Sequence, residues 1–140
     1  MVKESPIDQL LGALDELDVG AAMSLLAPDC RILAVDGRRV GGTEAARGLI
    51  TDFLEMVRST THRVTAQWHL DDVWIAEIDA SYELRSSLQI NAIPCAIVVR
   101  DGPEGIADLR VYAAGEPVLM HHPGEEEEGL RIGGRWMPPL

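Results

Sequence analysis

Asp36 is the carboxylate whose neighbours give it the most chemical promise. It follows Ile32 and Ala34 at two-residue spacing, so on a strand the three share one face. A carboxylate drawn into apolar surroundings loses hydration, which makes it a stronger base toward a weakly acidic C–H than an exposed one. The dipeptide Asp36-Gly37 is also a turn signal, and that structural role competes with the chemical one. Tyr82 alternates with Trp74, Ala76, Ile78 and Ala80 on one apolar strand face, where its phenol would be a single hydrogen-bond donor. Trp68 and Trp74 fall on the same predicted face and would either wall a pocket for a flat hydrophobic ligand or serve as plain core.

Other polar groups are less suited to chemistry. Arg63 and Asp79 fall on the polar face of the same strands and are expected to form a solvated or interfacial ion pair, a kind that contributes under about 1 kcal/mol. Arg110 and Tyr112 share one face of a later strand and would orient a partner. His62 and His69 have no evident carboxylate to orient them, so surface roles are expected for both. His121 and His122 stand near the four glutamates at 125–128, but adjacent histidines lack the spacing of a fixed ligand set. There is no Gly-rich phosphate loop, Gly-x-Ser-x-Gly elbow or paired-cysteine motif, so no metal and no cofactor is expected.

The elements that must hold these residues fit one domain. At 140 residues the chain can bury roughly two-thirds of the surface its unfolded form exposes. It is 46% hydrophobic and 25% charged, the balance of a globular protein, and its net charge of −11 disfavours nucleic acid and anionic lipid as partners. The start has no apolar signal region and the longest apolar runs are too short to span a bilayer, so a cytoplasmic location is expected. Cys30 and Cys95 sit in apolar runs and are expected to be reduced and buried.

Ser5 and Pro6 mark a helix start, and Ile7, Leu10, Leu11, Leu14 and Leu17 then form one apolar stripe while Asp8, Asp15 and Glu16 stay in water. Asp18 caps a second short helix carrying Val19, Ala22, Met23 and Leu26, ended by Pro28. A first strand is predicted over 30–36. Thr43 is the expected cap of a third helix reaching Ser59, with Ala46, Leu49, Ile50, Phe53 and Val57 inward. From Arg63 the period falls from 3.6 to 2, giving four antiparallel strands up to about residue 113, with Pro94 marking a bend. Keeping Trp68 away from charged partners favours a three-residue loop, 70–72, that pairs Trp68 with Trp74, Val64 with Ile78 and Arg63 with Asp79. Cys95 to Val99 is apolar on both faces, which points to a homodimer through the sheet. Residues 120–140, acidic and rich in Gly and Pro, are expected to be a mobile tail, with Trp136 and Met137 able to fold back.

This order resembles the nuclear transport factor 2-like superfamily, an α+β cone of three N-terminal helices on a curved antiparallel sheet. The segment from Asp18 to Cys30 looks like its second helix and first strand entry, Val40-Gly41-Gly42-Thr43-Glu44-Ala45-Ala46 like its third-helix start, and the segment from Gly105 to Tyr112 like its last strand, especially in the SnoaL-like branch. The domain is then 1–119. The resemblance implies an apolar pocket inside the cone for a small hydrophobic metabolite, with Phe53, Trp68, Trp74 and Cys95 contacting ligand. It also implies a carboxylate base, Asp36, assisted by Tyr82, in an isomerase- or cyclase-type enzyme. The other reading is a non-catalytic dimeric module that binds a ligand or a protein. The ketosteroid isomerase mechanism is not expected, because Leu10 stands where those relatives carry a tyrosine and Cys95 or Ala96 where they carry a protonated acid. Ala114 likewise replaces an aspartate common in the SnoaL-like branch.

Overall fold

The computed structural model describes residues 4–114, 130–132 and 135–137. Helix α1 (Pro6–Asp15) begins where Ser5 Oγ accepts the Ile7 and Asp8 amides at 3.1 and 3.3 Å, and it buries Ile7, Leu10 and Leu11. Each of these three side chains removed from water contributes about 1.5–3 kcal/mol, so the stripe and not helix propensity seats α1. Asp18 caps α2 (Val19–Ser24) through the Ala21 amide at 2.9 Å. Helix α3 (Thr43–Met56) is capped positionally by Gly42 at φ 89°, not by Thr43, whose hydroxyl donates to the Pro28 carbonyl. No helix among the described residues is long and apolar enough to cross a membrane.

The strands are β1 (Leu26–Leu33), β2 (Arg39–Gly41), β3 (Val57–Leu70), β4 (Val73–Leu84), β5 (Gln89–Gly102) and β6 (Gly105–Ala113). They form one curved, open sheet in the order β2-β1-β6-β5-β4-β3. The strands β3 to β6 are antiparallel neighbours, as the period-2 pattern implied, whereas β1 joins β6 in parallel. The first strand therefore starts at Leu26, earlier than expected, and ends at Leu33, leaving Asp36 in the turn before β2. A separate hairpin pairs β7 (Leu130–Ile132) with β8 (Arg135–Met137). The expected mobility of 120–140 otherwise falls outside the described residues.

Register follows a rule the alternation alone does not reveal. The β3–β4 turn is the two-residue Asp71-Asp72, with Asp71 at φ 55°, and pairs Trp68 with Ile75 and His69 with Trp74. The Val64–Ile78 and Arg63–Asp79 pairs nevertheless stand as expected, because Thr65 is an extra residue between the Val64–Ile78 and Ala66–Glu77 pairs. Such a bulge reverses which face later residues take. Thr60, His62 and Val64 thus face the helices together with Gln67 and His69, while Ala66 and Trp68 turn outward. Trp68 is 54% exposed. The irregularity of β5 lies at residues 91–92, before Pro94, where Ala92 at φ 55° donates its amide to Ser81 Oγ.

Gly105 opens β6 tight against the backbone at the start of β1. It lies at φ 121°, and a Cβ there would stand 2.7 Å from the Leu25 carbonyl oxygen, the same oxygen that accepts the Ile106 amide at 2.9 Å. A methyl group can be accommodated only by parting β1 from β6. Gly105→Ala should therefore destabilise the fold by about 2 kcal/mol or more in urea titrations, without a change in helical circular dichroism of the native state.

Candidate functional site

Between the helices and the inner sheet face lies a cavity of about 650 Å³. Its body is apolar: Leu10, Leu11 and Leu14 from α1, Leu49, Ile50 and Phe53 from α3, and Ile32, Ile97, Leu109 and Val111 from the sheet. Three polar side chains, His62, Tyr82 and Cys95, line it among these, and Asp36, Arg38, Asp52, Glu55, Arg85 and Ser86 also border it. Elements distant in sequence supply this wall, so its existence depends on α1 staying across β3.

His62, expected at the surface, faces the cavity instead. Its strand position puts the ring on the inner face, and the end of α1 delivers Asp15 to it. Asp15 Oδ1 lies 2.6 Å from His62 Nδ1, Asp15 Oδ2 accepts the His62 amide at 3.2 Å, and Thr60 donates its hydroxyl to Oδ1 at 2.5 Å. The His62 side chain is 6% exposed. A carboxylate can only accept, so Nδ1 carries the proton and Nε2 is the nitrogen left to the cavity. Asp15, expected in water, is thus the orienter whose absence had consigned His62 to the surface. A helix end and a strand 47 residues apart meet here, a proximity that no local pattern encodes.

Tyr82 faces the same space. Phe53 and His62 meet its ring edge-on, with centroids 5.7 and 5.8 Å away, and its hydroxyl makes no hydrogen bond to a described residue. Burial, reinforced by Cys95 and Asp15, pushes the phenol's pKa upward, so it remains a protonated donor. Burial likewise raises the Cys95 thiol, with a smaller contribution from Asp79. That thiol is half-buried and leans on the Ile93 carbonyl at 3.6 Å.

The remaining candidates divide. Phe53 and Cys95 line the cavity; Trp68 and Trp74 do not. Trp68 is turned out by the Thr65 bulge, and Trp74 is buried in the core beneath His69, the two rings stacked at 3.6 Å. Asp36 borders the cavity at its turn, with Oδ1 accepting the Arg38 amide at 3.0 Å and Oδ2 accepting Arg38 Nε at 2.6 Å. Both its oxygens are therefore engaged. Arg63 and Asp79 pair at 2.8 Å with the arginine 75% exposed. Among the described residues no group of His, Cys, Asp and Glu could hold a metal ion, and His121 and His122 lie outside those residues.

No family model and no curated protein matches the sequence. Solved structures do match in shape. A hypothetical protein with a ketosteroid isomerase-like fold from Catenulispora acidiphila, in complex with trimethylamine, is 18% identical, with a TM-score of 0.70 over 79% of this chain and 86% of that one. A SnoaL-like polyketide cyclase from Shewanella denitrificans, so named provisionally, is 12% identical with a TM-score of 0.69, over 77% and 87%. An epoxide hydrolase of the LEH-like type from M. tuberculosis is 16% identical with a TM-score of 0.67, over 77% and 79%. The shared shape is accordingly that of the nuclear transport factor 2-like α+β fold.

Two measurements test the electrostatics of the site and of the core beside it. In Asp15→Asn the amide can donate to Nδ1, so nitrogen-15 spectra of the His62 ring should change from a single Nδ1–H tautomer to a mixture or to Nε2–H. Cys30, in the core, is pushed from 9.0 up to about 11, chiefly by burial and then by Asp108 and Asp29. Because the folded state holds this proton more tightly, its contribution is complete below pH 9 and is lost as pH rises toward 11. Stability should fall by about 2–3 kcal/mol across that window, and Cys30→Ala should flatten the fall in denaturation series.

Proposed function

We propose that this protein is a proton-transfer enzyme of the isomerase or cyclase type, acting on a small hydrophobic metabolite enclosed in the cavity. The observation that carries the reading is the Asp15–His62 pair set into a mostly apolar cavity, facing a phenol whose hydroxyl bonds to no described residue. A buried ion pair or buried polar group is costly unless it is satisfied, so an inward imidazole nitrogen among leucines calls for a function.

In this reading His62 Nε2 removes a proton from carbon next to a substrate carbonyl, and the electron pair moves onto the carbonyl oxygen. Asp15 holds the ring and stabilises the imidazolium that forms, and the Tyr82 hydroxyl donates to the developing oxyanion. Returning the proton to a different carbon completes an isomerisation, while attack of the enolate carbon on a second carbonyl, whose oxygen then takes the proton back from His62, completes a ring closure. A positioned base contributes typically 10²- to 10⁴-fold and one oxyanion donor about 3 kcal/mol. The base role passes from Asp36 to His62 because Asp36 sits at the turn with both oxygens on Arg38. Names such as polyketide cyclase and epoxide hydrolase among proteins of similar shape support small-molecule chemistry in this kind of cavity. The protein would act in the cytoplasm without a cofactor.

A second reading, a non-catalytic dimeric module, draws support from the outer face, where Trp68, Leu70 and Ile75 are exposed at 54%, 75% and 39%. The two readings separate in one series. Native mass spectrometry of the purified protein would report subunit number and any retained metabolite, and that metabolite, once identified, is then incubated in deuterium oxide with the protein. The enzyme reading expects exchange at an acidic C–H that falls at least 10²-fold in His62→Gln and about tenfold or more in Tyr82→Phe, with binding within a few-fold of wild type. Binding with no exchange in the wild-type protein overturns it in favour of the module.

A further inference from the structure

On the face of the sheet opposite the cavity, strands β2, β1 and β6 enclose a second concavity of about 360 Å³. Its charged wall is Arg31, Arg39, Arg110 and Asp108, three positive groups against one negative in a chain whose net charge is −11. The register explains the grouping. Arg31 lies directly between Gly41 and Asp108, and Leu33 lies between Arg39 and Arg110. Asp108, only 7% exposed, sits at the base, where it holds Arg110 Nε at 3.1 Å and Arg31 Nη2 at 3.7 Å. One carboxylate thus aims two guanidinium groups, and the Arg39 side chain has no ion pair or hydrogen bond to any described residue. Arg100, opposite Asp108 on β5, extends the positive surface.

Such a cluster fits carboxylates, which guanidinium groups bind in a bidentate fork. A free anion approaching this protein is repelled by its net charge, whereas a tethered one is held nearby at an effective concentration that offsets the repulsion. The chain contains a suitable tethered anion. Glu125, Glu126, Glu127 and Glu128 are consecutive, and the first follows Ala114 by eleven residues, a span of up to roughly 36 Å when extended. From Ala114, Arg110 is about 13 Å back along β6, and Arg39 lies two strands further across, about 10 Å.

We propose that this concavity is the docking site of the chain's own glutamates 125–128, gripped by Arg39, Arg110 and Arg31 as an ionic strap over the outer sheet face. The proposal is independent of the chemistry assigned to the cavity.

The test uses the full-length chain and backbone amide spectra. Replacing Glu125, Glu126, Glu127 and Glu128 by Gln should shift amides in 31–41 and 106–112, as should raising sodium chloride to about 0.5 M in the wild type, where charge pairs are screened. In an Arg39→Gln/Arg110→Gln background the same four replacements should leave those amides within error. Inorganic pyrophosphate, the probe for a vacant site, should bind the four-glutamine chain about tenfold more tightly than the wild type, since the competitor is gone. Shifts in 31–41 and 106–112 that persist unchanged in the arginine-substituted background overturn the proposal. So does equal pyrophosphate binding to both chains, which would make the site one for an external anion. Shifts that grow with protein concentration overturn it too, since they would assign the glutamates to a second copy.

Discussion

The structure depends on one arrangement: α1 is fastened to β3 at both of its ends. At the N-terminus Ser5 Oγ contacts Gln67 Oε1 while Gln67 Nε2 donates to Asp8 at 3.3 Å. At the C-terminus Asp15 accepts from Thr60 and from both the amide and the ring of His62. Between these polar ends Ile7, Leu10 and Leu11 are buried, supplying the non-directional part of the attraction. The apolar stripe alone would allow the helix to rotate or slide, whereas the end contacts fix its angle across the sheet. The cavity is the space this angle leaves beneath the helix.

Polarity is distributed unevenly around that space. Its interior carries few groups able to exchange a proton, and two of them, Tyr82 and Cys95, are held protonated by burial. His62 differs because a carboxylate supports it from the helix side. One residue therefore serves both architecture and chemistry, since Asp15 anchors the helix and sets the imidazole. Asp36 and Arg38, by contrast, satisfy each other at the turn, leaving the inner wall dependent on residues from α1 and β3.

Much of the fold was legible in the sequence because its signals are local. Ser5-Pro6 and Asp18 mark helix starts through groups within three residues, and the change of period announces the antiparallel strands, although β3 already begins at Val57, inside the stretch expected to complete the third helix. Tyr82 and Phe53 were legible as inward positions for the same reason, whereas Cys95 lies in a run apolar on both faces, where alternation picks no side. The Asp15–His62 pair was not, because the stripe on α1 indicates only which residues face inward, and Asp15 stands at its margin. The fate of Trp68 was illegible for a different reason: alternation is a count, and one unpaired residue at Thr65 inverts every later term. The parallel joining of β1 to β6 depends on a close approach of Gly105 to Leu25, a contact between distant segments.

The Thr65 bulge has a consequence for how such a strand can change. Thr65 occupies the surplus position and donates its hydroxyl to the Glu77 carbonyl at 3.1 Å, so the strand works as two halves with opposite parity. Insertion or loss of a single codon at this point would exchange the solvent-facing and helix-facing sets beyond it while leaving those before it untouched. Paired changes on either side of the surplus position would leave both sets in place. A lineage could thereby remodel the tip of the hairpin in one step without disturbing the histidine end, a modularity that substitution alone could reach only through many intermediates.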